Sequence, residues 1–251
     1  MGTGRSRTDG RYQVRIAQTE TDVLRAQTLR WRAFRARPGE ESGIDADRFD
    51  AVCRHVLVED EVTGRLAATF RLLPLTDGRE IGASYSAQYY ELSALSAYKG
   101  RMVEIGRFCM APGCHDPDVL RVAWAAVTRI VDAEGVGMLF GCSSFAGTQP
   151  ETYRDAFAFL RERHLGPKRW LPRIKAPKVF RFGLRLRSCQ GDPVRALRLM
   201  PPLLRTYLTM GGWVGDHAVV DEDLGTLHVF TGVEIERIPP ARARALRLLA
   251  G

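Results

Sequence analysis

The run Glu104-Ile105-Gly106-Arg107-Phe108 sets a carboxylate and a guanidinium on either side of a glycine. On a regular strand, positions three apart point to opposite faces, so Glu104 and Arg107 could not serve one site. A β-bulge at Gly106 would swing both to one side and leave a backbone N–H without a ladder partner. The chemistry on offer is then proton abstraction by a carboxylate, beside a cation and an oxyanion donor. The alternative is a surface ion pair on an edge strand. A second group, Asp45, Asp47 and Asp50 with Arg48 among them, could meet a cationic substrate. The interleaved arginine and the missing EF-hand glycine and distal glutamate count against calcium. Asp45 reads as a helix cap or a solvated loop charge. Arg71 lies inside an apolar run and needs an anionic partner if it is buried.

Between Arg161 and Arg187 ten cations, Arg169, Arg173 and Lys175 among them, face the single acid Glu162. This reads as a docking surface for an acidic partner. No helix-turn-helix, zinc-finger or RNP signature accompanies the charge, which weighs against nucleic acid. Cys109, Cys114 and His115 lack a fourth ligand at zinc spacing, so they read as structural residues near a turn and no metal is expected. Cys142 sits in an apolar run and reads as core. No P-loop or G-x-G-x-x-G motif occurs.

Positioning these groups requires a framework of strands and helices. Strand character runs over Tyr12–Ala17, and Thr19 or Thr21 caps a helix reaching about Arg35, with Leu24, Trp31 and Phe34 on its apolar side. His55–Glu59 and Arg65–Leu75 form a hairpin, Ser84–Tyr98 is ambiguous between helix and loop, and Arg101–Ala111 is a strand. Asp116 or Asp118 opens a helix whose Val119, Val122, Ala123, Ala126, Val127, Ile130 and Val131 share one face, ended by Gly135 and Gly137. Met138–Phe145 is a central strand, followed by a helix from Pro150 to about His164. A short helix near Met200–Met210, a strand around Thr226–Glu236 and a basic C-terminal helix complete the chain. Strand-helix alternation after a hairpin implies a mixed sheet with helices on both faces.

With 251 residues, 45% of them hydrophobic, the chain can bury a sizeable core, and its formal charge of +8 points to anionic partners. Residues 1–10 read as a disordered lead and 11–251 as one domain with a C-terminal extension. No run of about 18 apolar residues and no secretory pattern is present. The five scattered cysteines do not form a disulfide framework, so a cytoplasmic setting is expected.

The segments Val103–Pro112, Met138–Thr148 and Pro201–Asp221 together resemble the GNAT enzymes that acylate ornithine from acyl carrier protein. The N-terminal half also resembles acyl-homoserine-lactone synthases, through Arg30, Phe34, Asp47, Asp50, Arg71, Glu104 and Arg107. The resemblance implies a GNAT-like α/β fold with a β-bulge in the central strand near Gly106. It implies transfer of a β-hydroxy fatty acyl group from acyl carrier protein to the α-amine of L-ornithine, giving lyso-ornithine lipid. Glu104 and Arg107 become catalytic candidates; Asp47, Asp50, Arg71, Arg30 and Phe34 become substrate-binding candidates. Carrier protein would dock on Arg169, Arg173 and Lys175, with no cofactor beyond its phosphopantetheine arm. The connection Met110–Asp118 lacks the glycine-rich loop that a coenzyme A diphosphate would need. Peripheral contact with an anionic membrane, through Leu197–Trp213, is a further expectation. The rival readings are a homoserine-lactone synthase and a non-catalytic basic module for membrane surfaces or nucleic acid.

Overall fold

The computed structural model describes residues 10–40 and 42–251; the expected N-terminal lead, apart from Gly10, lies outside the described residues. In chain order the elements are β1 (Tyr12–Ile16), α1 (Glu20–Phe34), β2 (Arg54–Asp60), β3 (Arg65–Leu75), β4 (Tyr90–Glu91), β5 (Arg101–Met110), α2 (Pro117–Glu134) and β6 (Val136–Ala146). Then follow α3 (Arg154–Arg163), β7 (Arg173–Ile174), β8 (Val179–Phe180), α4 (Phe182–Arg185), α5 (Pro193–Leu199), α6 (Pro202–Thr209), β9 (Trp213–Asp221), β10 (Thr226–Glu234) and α7 (Pro240–Ala250). The chain divides into two compact units that share strand β5.

The first unit comprises the residues up to Leu73, Ile105–Gly135 and Ala243–Gly251. Its strands hydrogen-bond in the order β1-β2-β3-β5, with β1, β2 and β3 antiparallel. The second strand of the expected hairpin keeps the bounds read from the sequence. Helix α2 forms as its spacing dictates: Asp116 accepts the Asp118 N–H, and Gly135 stops the helix in the left-handed region at φ 62°. Its buried face carries Val119, Val122, Ala123, Ala126, Val127 and Val131. Helix α1 starts where expected, Thr19 accepting the Asp22 N–H, and of its expected apolar side Trp31 is buried and Phe34 half-buried. Leu24 is exposed, whereas Ala26, Leu29, Arg30 and Trp31 are buried. The apolar spacing misled here because ion pairs, described below, take Arg30 into the interior. Within β5 the left-handed residue is Arg107, at φ 51°, one position after the expected Gly106; among the described residues it is the only non-glycine with positive φ. For an arginine this conformation is strained.

The second unit comprises Pro74–Glu104 and Val136–Arg242. Here β5 runs parallel to β6 from Arg101 to Glu104, and Glu104, opposite Phe140, is the last paired residue of that ladder. Strands β6, β10, β9 and β8 follow as antiparallel neighbours. Between Val229 and Thr231, the single residue Phe230 of β10 faces three residues of β9, Gly215, Asp216 and His217. Phe157, Phe182, Leu204, Val214 and Val229 belong to the core that joins the helices to this part of the sheet. Ser84–Tyr98 resolves into short 3-10 turns around the two-residue β4. In the segment Leu197–Trp213, Leu204, Tyr207, Met210 and Trp213 are buried while Leu197 is 45% exposed. Strand order, the parallel β5–β6 pair beside antiparallel neighbours and the flanking helices bear out the mixed α/β expectation.

Candidate active site

Three polar clusters emerge, one in the first unit and two in the second. In the first, α1 supplies Arg30 and β3 supplies Arg71, both nearly fully buried, while β5 supplies Arg107. The acids come from the loop before β2. Asp47 grips Arg71 with both oxygens, at 2.6 and 2.8 Å. Asp50 does the same to Arg30, at 2.7 and 3.0 Å, and also accepts from Arg71 at 2.8 Å. Asp45 is the most enclosed of the three acids. Its Oδ1 accepts from Arg35 at 2.7 Å, and its Oδ2 accepts from Arg30 at 2.9 Å and Arg107 at 3.0 Å. Its backbone oxygen receives a further bond from Arg30.

Burial raises the Asp45 pKa, yet Arg107, Arg35 and Arg30 outweigh it and hold the carboxyl below its ordinary value. Asp47 and Asp50 are lowered by the same contest between burial and their arginines. Burial works against the Arg71 charge too, but Asp47 and Asp50 carry its pKa well above the ordinary value. The reading of Asp45 as a cap or solvated charge is therefore wrong: it is the shared anion of three arginines. Local sequence could not show this, because those arginines lie 10, 15 and 62 positions away. Arg71 has the anionic partners its burial requires. Phe34 is half-buried, beside this network in sequence. The most accessible acid is Asp47, whose side chain is 23% exposed and reaches Arg107 at 3.3 Å.

Glu104 belongs to the second unit and is 4% exposed. Its Oε2 accepts the Tyr85 N–H at 2.7 Å, while Oε1 accepts both the Ser86 N–H at 2.7 Å and the Ser86 hydroxyl at 2.5 Å. The Cys142 thiol lies 3.4 Å from the Ser86 oxygen. Glu104 is thus held by the Tyr85–Ser86 turn, and Arg107 by Asp45 and Asp47. Sequence reasoning missed Tyr85 and Ser86 because their segment shows no periodicity.

A third cluster, also in the second unit, escaped the sequence reading. Tyr90 donates its hydroxyl to the His228 carbonyl at 2.8 Å, so the His228 Nδ1–H must donate to the Tyr90 oxygen, 3.0 Å away. Asp216 Oδ1 lies 2.8 Å from His217 Nδ1. The Nε2 atoms of both histidines are buried without a hydrogen-bond partner. Burial, with His217 nearby, pushes His228 down to about 3. The available signal was a histidine inside each of two apolar runs.

The basic stretch is largely exposed. Arg173 is 79% exposed and 3.9 Å from Glu91, and Arg169 reaches Glu234 at 3.2 Å. Lys175 Nζ donates to the Ala87 carbonyl at 2.6 Å. Burial raises the Cys109 thiol to about 12, in keeping with a core residue. Among the described residues, no group of three or more His, Cys, Asp and Glu side chains is arranged to hold a metal ion.

A model of the acetyltransferase (GNAT) domain matches residues 29–125. A Brucella abortus protein named L-ornithine N(alpha)-acyltransferase is 30% identical over 243 residues, covering 91% of this chain and 86% of that one. A Rhodobacter capsulatus protein of the same name is 32% identical over 230 residues, covering 87% and 88%. The chain belongs to the L-ornithine N(alpha)-acyltransferase family. It is an N-acyltransferase, and the family's near full-length match spans both units and all three clusters. The crystal structure of the AHL synthase LasI is similar at a TM-score of 0.40 and 12% identity, with 91% of each chain covered. The GNAT-like expectation for the fold is borne out. Among the described residues no helix is long and apolar enough to cross a membrane.

Proposed function

We propose that this enzyme transfers a β-hydroxy fatty acyl group from acyl carrier protein to the α-amine of L-ornithine, giving lyso-ornithine lipid. The observation that carries the reading is the similarity, over 86% or more of their length, to proteins named L-ornithine N(alpha)-acyltransferase. The α-nitrogen attacks the thioester carbon, the C–N bond forms, and the C–S bond breaks with departure of the thiolate. An α-amine is mostly protonated at neutral pH, and nitrogen must shed a proton as it acylates, so a base is needed. Glu104 is assigned that role. Its anchoring by three donors suits a carboxylate that must be aimed.

Asp47 and Arg107 are assigned to the charged ends of the amino acid, an ammonium and a carboxylate, because Asp47 is the cluster's most accessible acid. Arg30, Arg71 and Asp50 hold these two in place, and Phe34 supports the helix that carries Arg30. The carrier protein's acidic surface is assigned to Arg169, Arg173 and Lys175, where long-range attraction would raise the encounter rate more than the affinity. No cofactor is assigned beyond the donor's phosphopantetheine. Contact with an anionic membrane remains part of the proposal, since the product carries an acyl chain. The purified enzyme incubated with L-ornithine and β-hydroxyacyl carrier protein should give lyso-ornithine lipid by mass spectrometry. Acyl lactone in a parallel incubation with S-adenosylmethionine in place of ornithine, or no acylated product from ornithine, would overturn the reading.

A further inference from the structure

The Glu104 carboxylate has an attachment more specific than burial would require. Two successive backbone amides, of Tyr85 and Ser86, each take one of its oxygens. Those bonds alone would fix the turn after Ser84 to strand β5. The Ser86 hydroxyl, on a fully buried residue, adds a charge-assisted bond of 2.5 Å to Oε1. An ionised carboxylate only accepts, so the hydroxyl proton must point at Glu104, and the Cys142 thiol at 3.4 Å then donates to the Ser86 oxygen. The rotor is therefore set from both sides, by a carboxylate on β5 and a thiol on β6.

We infer that Ser86 is a positioning residue for the catalytic base: its hydroxyl fixes the carboxylate plane of Glu104 in the orientation that receives the proton of the acceptor amine. This rests on the assignment of Glu104 above. Glutamate has three side-chain torsions, and the amides come from one turn, so a third donor narrows the remaining swing of the carboxylate. Misplacement of a reacting group by about 1 Å can cost roughly 100-fold in rate. Groups facing Glu104 from other elements are Cys142, through Ser86, and the buried Tyr207 of α6, whose pKa burial and the Glu104 charge both raise.

The test is a double-mutant cycle in the purified full-length enzyme, with β-hydroxyacyl carrier protein and L-ornithine as substrates. Ser86→Ala is expected to lower kcat by about 10- to 100-fold, while the ornithine KM stays within about twofold. In a Glu104→Gln background the same change should have almost no further effect, because Ser86 acts through the carboxylate that is gone. A residue that merely supports the fold would lower Tm and cost the same factor in both backgrounds. Near-normal kcat in Ser86→Ala, or equal losses in the two backgrounds, overturns the inference while leaving Glu104 as the base. Near-normal kcat in Glu104→Gln alone overturns the base assignment and the role of Ser86 with it.

Discussion

Replacing Asp45 with asparagine keeps the shape of the side chain and removes one charge from the centre of the arginine network. The asparagine has one carbonyl oxygen where Asp45 has two accepting oxygens. If that oxygen replaces Oδ2, it still meets Arg30 and Arg107, but an NH2 group then confronts Arg35. In the opposite orientation, two nearly buried guanidinium groups each lose one of their acceptors. The first orientation is favoured, because the Arg35 side chain is 31% exposed and water can serve it, whereas that of Arg30 is 1% exposed. In either case Arg30 and Arg107 lose a shared anion in an environment that hydrates them poorly. Breaking a buried pair by removing one partner typically costs about 3–5 kcal/mol. For a protein of this size each kcal/mol corresponds to roughly 2–4 °C in Tm, so Asp45→Asn should lower Tm by about 10 °C. Asp118→Asn is the control, since the Asp118–Arg121 pair is about half exposed on both sides and should contribute about 1 kcal/mol or less. Urea titration and thermal melts followed by circular dichroism would measure both. A loss below about 1 kcal/mol for Asp45→Asn, matching the control, would refute the view that Asp45 holds the network together.

Three further outcomes follow from the same geometry. Asp47→Asn should raise the ornithine KM by about tenfold or more with a smaller effect on kcat, as measured by steady-state kinetics; the opposite balance would make Asp47 part of the chemical step. Reversing Arg169, Arg173 and Lys175 to glutamate should lower kcat/KM for the carrier-bound donor and flatten its dependence on salt, whereas unchanged kinetics would place docking elsewhere. His228 titrates near 3 when folded because burial disfavours its charge, against about 6.5 for the unfolded chain. As pH falls below about 6.5 the unfolded chain takes up a proton that the folded one refuses, so His228 should cost up to about 1.4 kcal/mol of stability per pH unit down to about 3. His228→Gln should remove that part of the slope in urea titrations between pH 4 and 6.5; an identical slope in the variant would show that His228 charges without unfolding.

Periodicity and punctuation made much of the framework legible. Helix α2 was readable from seven spaced apolar residues, an aspartate cap and a glycine stop, all of them local signals. Strand β9 was not, because Gly211 and Gly212 directly precede it, Gly215 interrupts its pattern and three consecutive residues face one partner. The short helices α4 and α5 lie in basic, proline-containing sequence that lacks the length to show a period. The site was legible as residue types but not as pairings. Arg71 declared itself through its charge in an apolar run, while the importance of Asp45 depends on arginines that only the folded chain collects. Glu104 was singled out with Arg107 as its neighbour, yet its donors come from residues 18 and 19 positions earlier, where no local pattern points to it.

The three-against-one pairing in β9 has a consequence for changes in chain length. The excess is two residues, an even number, so the in-and-out alternation of side chains stays in phase on either side of it: Val214 and Ala218 face β10 in the same sense, as do Thr231 and Val229. Deleting Gly215 alone would leave a single extra residue in β9, a β-bulge of the kind that Ala67 already makes against β2 between Val58 and Glu59. Deleting Gly215 together with Asp216 would restore an even count, and with it a plain ladder and the original facing. Both shortenings therefore leave Trp213 and Val214 facing as they do now, and they differ in whether β9 keeps a local kink opposite Phe230.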